Sequence, residues 1–199
     1  SIKPQLQSTL DSWFRDNKEF GPVHDLLFSV MYKPDLYIQS QLLHLLQAIE
    51  TFHRRTRGGH YVKAEEFEAV YAALLASIPE NIKPEFKEVL KGKLKYLNEL
   101  SLRSRLKTLV ADIPQKLTDR FLGNQKTFVS ELCEVRDYLT HYSKDSLAPN
   151  TKEMVQKYHG FVMKLTVMLS YFLLRQIGIA DDQLCTNLLQ KYHYLRKPE

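Results

Sequence analysis

Hydrophobic residues recur at steps of three and four positions in nearly every segment of this chain, which is the spacing of helices that bury one face. Only seven glycines and eight prolines interrupt these segments. The pattern therefore predicts an all-α fold, a helical bundle of about eight to ten helices built around two or three long ones. Since no repeat, linker or shift in composition marks a boundary, residues 1–199 are expected to form a single domain.

Glycine and proline set the predicted helix bounds. Gly21 and Pro22 are expected to separate a first helix from a short second one, because proline lacks the N–H that a helix interior requires. Pro34 and Asp35 open a long helix, and Gly58 is expected to end it. The predicted helices cover about 8–17, 23–31, 36–57, 63–77, 85–99, 102–113, 124–141, 151–176 and 181–192.

Composition and charge say more about where the protein is located than about any reaction it catalyses. The net charge of +5 is compatible with an anionic partner and equally with an ordinary, mildly basic protein. The longest apolar stretch, 161–174, contains Lys164 and falls short of the roughly 20 residues that cross a bilayer, so it predicts a core helix. Two well-separated cysteines, Cys133 and Cys185, and a start without signal-peptide character favour a reducing, cytoplasmic location.

Patterns for cofactors and metals are not found. The chain has no glycine-rich phosphate loop, no dinucleotide fingerprint and no nucleophile elbow. Its cysteines and histidines are not paired at metal-ligand spacing. Neither a cofactor nor a metal is therefore expected.

The stretch "EVRDYLTHYSKD" carries the most suggestive chemistry. Arg136 and His141 have four residues between them near the predicted end of a helix, and Asp137 and His141 are spaced to touch, so the carboxylate can orient the imidazole. An arginine and a histidine at such spacing occur about once by chance in a chain like this one. Arg54 and Arg55 with His60 match it too, but His60 follows a glycine pair and its position is not fixed by helical spacing.

This helix, followed by a loop and a long apolar helix, resembles the HEPN superfamily of nucleotide-binding and ribonuclease domains. The segments "LLHLLQAIETFHRRTRG", "LNELSLRSRLKTLV" and "FVSELCEVRDYLTHYS" are more narrowly similar to the HEPN domain of ApeA-type proteins from bacterial defence systems. The resemblance extends from about residue 8 to residue 192. It implies metal-independent cleavage of RNA, such as tRNA or mRNA, by a homodimer in antiphage defence. It also implies a further N-terminal sensor domain in the same protein.

Carried onto this chain, the resemblance implies that Arg136 and His141 are catalytic and that Asp137 occupies the polar position after the arginine, where asparagine is more familiar. The residue types suit the reaction. Imidazole can act as base for the ribose 2′-hydroxyl and as acid for the leaving oxygen, and guanidinium can bind phosphate oxygens. Because one chain supplies one such pair, an acid and a base together require two chains.

Other residues are weaker candidates. Arg54, Arg55 and Arg57 form a basic cluster where the predicted long helix meets Gly58, and this cluster either grips RNA phosphates or is a solvated basic loop. Glu50 and His53 either flank the site or, for Glu50, pair with Arg54. The remaining candidate phosphate contacts are Tyr142 and Lys144. The alternative to catalysis is a HEPN-like module that only dimerises or binds RNA or nucleotide.

Overall fold

A computed structural model describes residues 6–33, 35–141 and 152–193 of the chain, except for the side chain of Asp16. Within these residues every regular element is helical, and His60 and Glu99 form an isolated antiparallel bridge. The prediction of an all-α fold is confirmed. The helices are α1 (Leu6–Tyr32), α2 (Ile38–Arg57), α3 (Ala64–Ala76), α4 (Pro84–Leu94), α5 (Leu102–Ala111), α6 (Gln115–Leu117, continued by a π-helical turn at Thr118–Leu122), α7 (Gln125–His141), α8 (Lys152–Gln176) and α9 (Asp181–Lys191).

The predicted break at Gly21 and Pro22 is wrong, because α1 runs through both residues as one helix. The proline does lack one backbone hydrogen-bond donor. However, Phe20, Val23 and Leu27 lie on one face across the proline and are all buried. Burial of this apolar face outweighs the local cost of the proline, so tertiary packing overrides the local signal.

The core is formed by the apolar faces of the long helices. On α7, the predicted stripe of Phe128, Leu132, Val135 and Leu139 is buried. On α2, Leu42, Leu45, Leu46 and Ile49 are buried, and on α8 the buried residues include Tyr158, Phe161, Leu165, Met168 and Phe172. Lys157 of α8 donates a 2.8 Å hydrogen bond to Glu131 of α7. This bond links the two helices at the edge of the core. The face of α7 opposite its buried stripe is therefore not needed for the core and can carry functional residues.

The described residues divide into two compact units: one contains those up to 56 and from 102 onward, and the other contains 57–101. The second unit is built on α3 and α4, neither of which has a buried residue. Within it, the side chain of Asn98 accepts hydrogen bonds from the backbone N–H groups of Tyr61 and Val62 at 3.1 and 2.9 Å and donates one to the Val62 carbonyl at 2.9 Å. A buried amide thus fixes the loop before α3.

Gly58 follows the last residue of α2 with φ of 74°, a left-handed conformation that glycine adopts at little cost. The predicted end of this helix is therefore confirmed. None of the helices in the described part of the chain combines the length and the hydrophobicity that crossing a membrane requires.

Candidate functional site

The last two turns of α7 carry Arg136, Asp137 and His141. All three side chains reach solvent: those of Arg136 and Asp137 are 35% and 64% exposed, and His141 is also exposed. The helix places them there because Val135 and Leu139, on its opposite side, are buried in the core. Arg136 and His141 are about 140° apart around the helix axis, so a group that touches both has to stand away from the helix surface.

Two carboxylates hold the Arg136 guanidinium. Its Nη1 donates a 2.9 Å hydrogen bond to Asp137 Oδ1, and its Nη2 lies 3.9 Å from Glu50 Oε1 of α2. The Glu50 side chain is 30% exposed, so this contact between α2 and α7 lies at the surface. The structure thus places Glu50, a predicted neighbour of the site, beside the predicted arginine.

Asp137 binds the arginine and not the histidine. The described residues include no hydrogen bond between Asp137 and His141, although one helical turn separates them. The hydroxyl of Thr140 is bound to the carbonyls of Arg136 and Asp137 at 3.0 and 3.1 Å, which leaves it turned toward the helix backbone. The His141 ring therefore stands at the helix end with Arg136 pointing away toward α2.

His53, the other predicted neighbour of the site, is buried. It is 1% exposed, and its Nδ1 accepts a 3.4 Å hydrogen bond from Nη1 of Arg105, which is itself 1% exposed. Glu50 and His53 lie on adjacent turns of α2, yet the first reaches the surface and the second the interior. Because His53 is buried, it can affect the site at Arg136 only indirectly, by the way it packs α2 against the core.

The basic cluster lies at the C-terminal end of α2, where the sequence also predicted a helix. Arg54, Arg55 and Arg57 all belong to the last turns of α2, because the helix continues until Gly58. Arg54 and Arg55 are exposed and Arg57 is partly exposed. Tyr142 and Lys144 lie outside the described residues.

A second basic surface lies between α5 and α7 and was not foreseen from the sequence. Arg103 and Lys107 of α5 and Lys126 of α7 line a cavity of about 710 Å³. The signal that would have pointed to it is the i, i+4 spacing of Arg103 and Lys107 on a helix whose Leu106 and Leu109 are buried.

Cys133 is buried on α7 at a position between the cavity residues Lys126 and Ser130 and the candidate site residue Arg136. Burial raises the pKa of its thiol, and the positive charges of Arg103 and Arg136 oppose that rise without cancelling it. An arginine of the cavity and the arginine of the candidate site therefore act on the same side chain. Among the described residues, no group of three or more His, Cys, Asp or Glu side chains is arranged to hold a metal ion.

Comparison with known proteins identifies the family. A family model described as Apea-like HEPN matches residues 43–183, about 70% of the chain, and this range includes Arg136, Asp137 and His141. No curated protein and no solved structure matches the chain. The extent of the family match shows that this chain belongs to the Apea-like HEPN family.

Proposed function

We propose that this protein is a metal-independent endoribonuclease that cleaves RNA, such as tRNA or mRNA, as a homodimer, in a defence protein directed against phage. Arg136 and His141 are its catalytic residues and Asp137 positions the arginine. The observation that carries the proposal is the placement of these three accessible side chains on the last two turns of one helix, within the part of the chain that matches the family.

The reaction follows from the chemistry of these side chains. Neutral His141 removes the proton of a ribose 2′-hydroxyl, the oxygen attacks the adjacent phosphorus, and the bond to the 5′-oxygen breaks. A protonated His141 gives its proton to that leaving oxygen. Arg136 donates hydrogen bonds to the non-bridging phosphate oxygens, whose charge grows in the transition state. The products are a 2′,3′-cyclic phosphate and a free 5′-hydroxyl.

Two chains are needed for this proton balance. One imidazole cannot be neutral and protonated in the same turnover step, and each chain offers one His141. A two-fold dimer that brings both His141 side chains to one cleft supplies the base and the acid together. It also brings both Arg136 side chains to the same phosphate.

A second candidate function is favoured by the pairing of Arg136 itself. With Asp137 at 2.9 Å and Glu50 at 3.9 Å, its charge is balanced within one chain, as in an arginine that stabilises an interface or holds a phosphate without cleaving it. In that case the protein is a HEPN module that dimerises or binds RNA or nucleotide.

The test is cleavage of a mixed tRNA and mRNA pool by the purified protein in excess chelator, with the product ends analysed. Wild type is compared with Arg136→Ala and His141→Ala. Two control variants remove matched surface residues: His159→Ala removes another exposed helical histidine, and Arg175→Ala removes an arginine that is 46% exposed and 3.5 Å from Asp181.

We expect cyclic-phosphate ends from wild type and both controls, and a rate at least about 100-fold lower in the two site variants. The specific activity should also fall when the protein is diluted below its dimer dissociation constant. Cleavage that stops in chelator, or that survives in His141→Ala, would disprove this mechanism. RNA binding without cleavage, lost in Arg136→Ala, would establish the binding module instead.

A further inference from the structure

The cavity between α5 and α7 carries an unbalanced positive charge. Among the described residues, the charged side chains that line it are Arg103, Lys107 and Lys126, and none of these lining residues carries a carboxylate. All three cations are exposed. Its volume of about 710 Å³ falls in the range of small-ligand sites, so it can admit part of a nucleotide chain.

The floor and the wall of the cavity suit a sugar-phosphate chain. Val110 and Val129 are buried beneath it, which gives an apolar floor. Thr127 and Ser130 add hydroxyl groups on the α7 side. Hydroxyls and cations over an apolar floor are the contacts that proteins make to phosphates and sugars without reading the sequence of bases.

The cavity and the candidate catalytic residues share one face of α7. At 100° per residue, Ser130, Asp137 and His141 lie within about 60° of Lys126 around the helix axis. Arg136 lies about 80° from Lys126 on the other side, so the sector between Arg136 and His141 is centred on the same face. Between Lys126 and Asp137 the helix rises by roughly 16 Å.

Cys133 lies on this face between Ser130 and Asp137 and is buried. Burial raises the pKa of its thiol most, Arg103 and Arg136 lower it, and the Asp137 and Glu134 carboxylates raise it. The Glu134 carboxylate accepts a 3.1 Å hydrogen bond from the Ser130 hydroxyl.

We propose that the groove lined by Arg103, Lys107 and Lys126 binds the phosphates of single-stranded RNA and directs the strand along α7 to Arg136 and His141. This inference rests on the proposed function, since it takes RNA as the substrate, but it concerns binding outside the reacting phosphate. The groove contributes affinity and orientation and has no part in proton transfer.

The probe is a fluorescently labelled single-stranded RNA in which every ribose carries a 2′-O-methyl group. It lacks the 2′-hydroxyl nucleophile, so its binding to the full chain can be followed by anisotropy whether or not the protein cleaves RNA. The groove variant combines Arg103→Gln, Lys107→Gln and Lys126→Gln. The control variant combines Lys83→Gln, Lys93→Gln and Lys95→Gln, which changes the net charge equally at exposed positions in and around α4.

We expect the groove variant to bind at least about tenfold more weakly and to lose about two units from the slope of log affinity against log salt, as three phosphate contacts to a single strand predict. The control should stay within about twofold of wild type. Equal losses in the two variants, or an unchanged groove variant, would overturn the inference. The double variant Lys107→Gln, Lys126→Gln, with an intermediate loss expected, serves if the triple variant does not fold.

Cleavage of unmodified RNA by the same variants separates the two proposals. If wild type binds the probe through the groove but cleaves nothing, the ribonuclease proposal fails and the groove remains an RNA-binding site. If wild type cleaves RNA and the groove variant cleaves and binds equally well, the groove inference alone fails.

Discussion

Arg105 and Arg136 both reach toward α2, one from α5 and one from α7, and their surroundings are opposite. Arg105 is 1% exposed and donates to buried His53, whereas the Arg136 side chain is 35% exposed and lies between Glu50 and Asp137. Their partners on α2 are only three residues apart. One turn along α2 thus separates the partner of a buried arginine from the partner of an arginine that reaches solvent.

The comparison teaches which arginine is available for chemistry. A guanidinium in the core is removed from water, so its contribution to stability depends on packing and on each hydrogen bond it keeps. A guanidinium at the surface gains little from its carboxylate neighbours, because water screens the attraction. The surface arginine can therefore exchange a carboxylate for a phosphate at small cost, and the buried one cannot.

The largest effect that tests this contrast is on stability. Arg105→Ala should lower the free energy of unfolding by about 3 kcal/mol, because it leaves a cavity and removes a donor from buried His53. Arg103→Ala, two residues earlier and exposed, should change it by less than about 0.5 kcal/mol. Urea denaturation of both variants checks this. Similar changes in the two would mean that burial does not distinguish these arginines.

A smaller effect concerns the carboxylate at the surface. Glu50→Gln should leave the unfolding free energy within about 1 kcal/mol of wild type, since the pair is partly exposed. It should also tighten binding of the 2′-O-methyl RNA by up to about fivefold, because a charge that competes with phosphate for Arg136 is removed. Glu131→Gln, which removes the 2.8 Å partner of Lys157, makes the same change in net charge and is the control. An equal gain in the control would show a general charge effect.

The smallest expected effect is a change in the pKa of Cys133 when the charge of Arg103 is removed. Burial raises the pKa of Cys133 above its ordinary value of 9.0, so the thiol is neutral at neutral pH. Its contribution to stability is complete below pH 9 and declines as the pH rises through the raised pKa. Arg103→Gln should raise that pKa further, because it removes the positive charge that lowers this pKa most.

The measurement is the Cβ chemical shift of isotopically labelled cysteine against pH, in a Cys185→Ala background so that one thiol is observed. Lys83→Gln, which removes an exposed positive charge near α4, should leave the titration of Cys133 unchanged. A titration of Cys133 below pH 9 would contradict the effect of burial, and a titration that Arg103→Gln leaves unchanged would contradict the effect of Arg103 on this thiol.

Much of the fold could be predicted from local pattern. The stripe of Phe128, Leu132, Val135 and Leu139 predicted both the helix and its buried face, and Gly58 predicted where α2 ends. The pattern failed at Gly21 and Pro22, because the cost of a proline is local while the burial of Phe20, Val23 and Leu27 is shared with other helices.

By itself, the sequence determined that the chain is helical, which faces of its long helices are apolar, and that Arg136, Asp137 and His141 lie close together on one of them. Periodicity carries this information, because the positions of side chains around a helix depend only on their spacing. The tertiary structure alone decided that Arg105 is buried against His53, that Glu50 reaches Arg136, and that Arg103, Lys107 and Lys126 line one cavity. These relations join residues distant along the chain, and they depend on which helix covers which face.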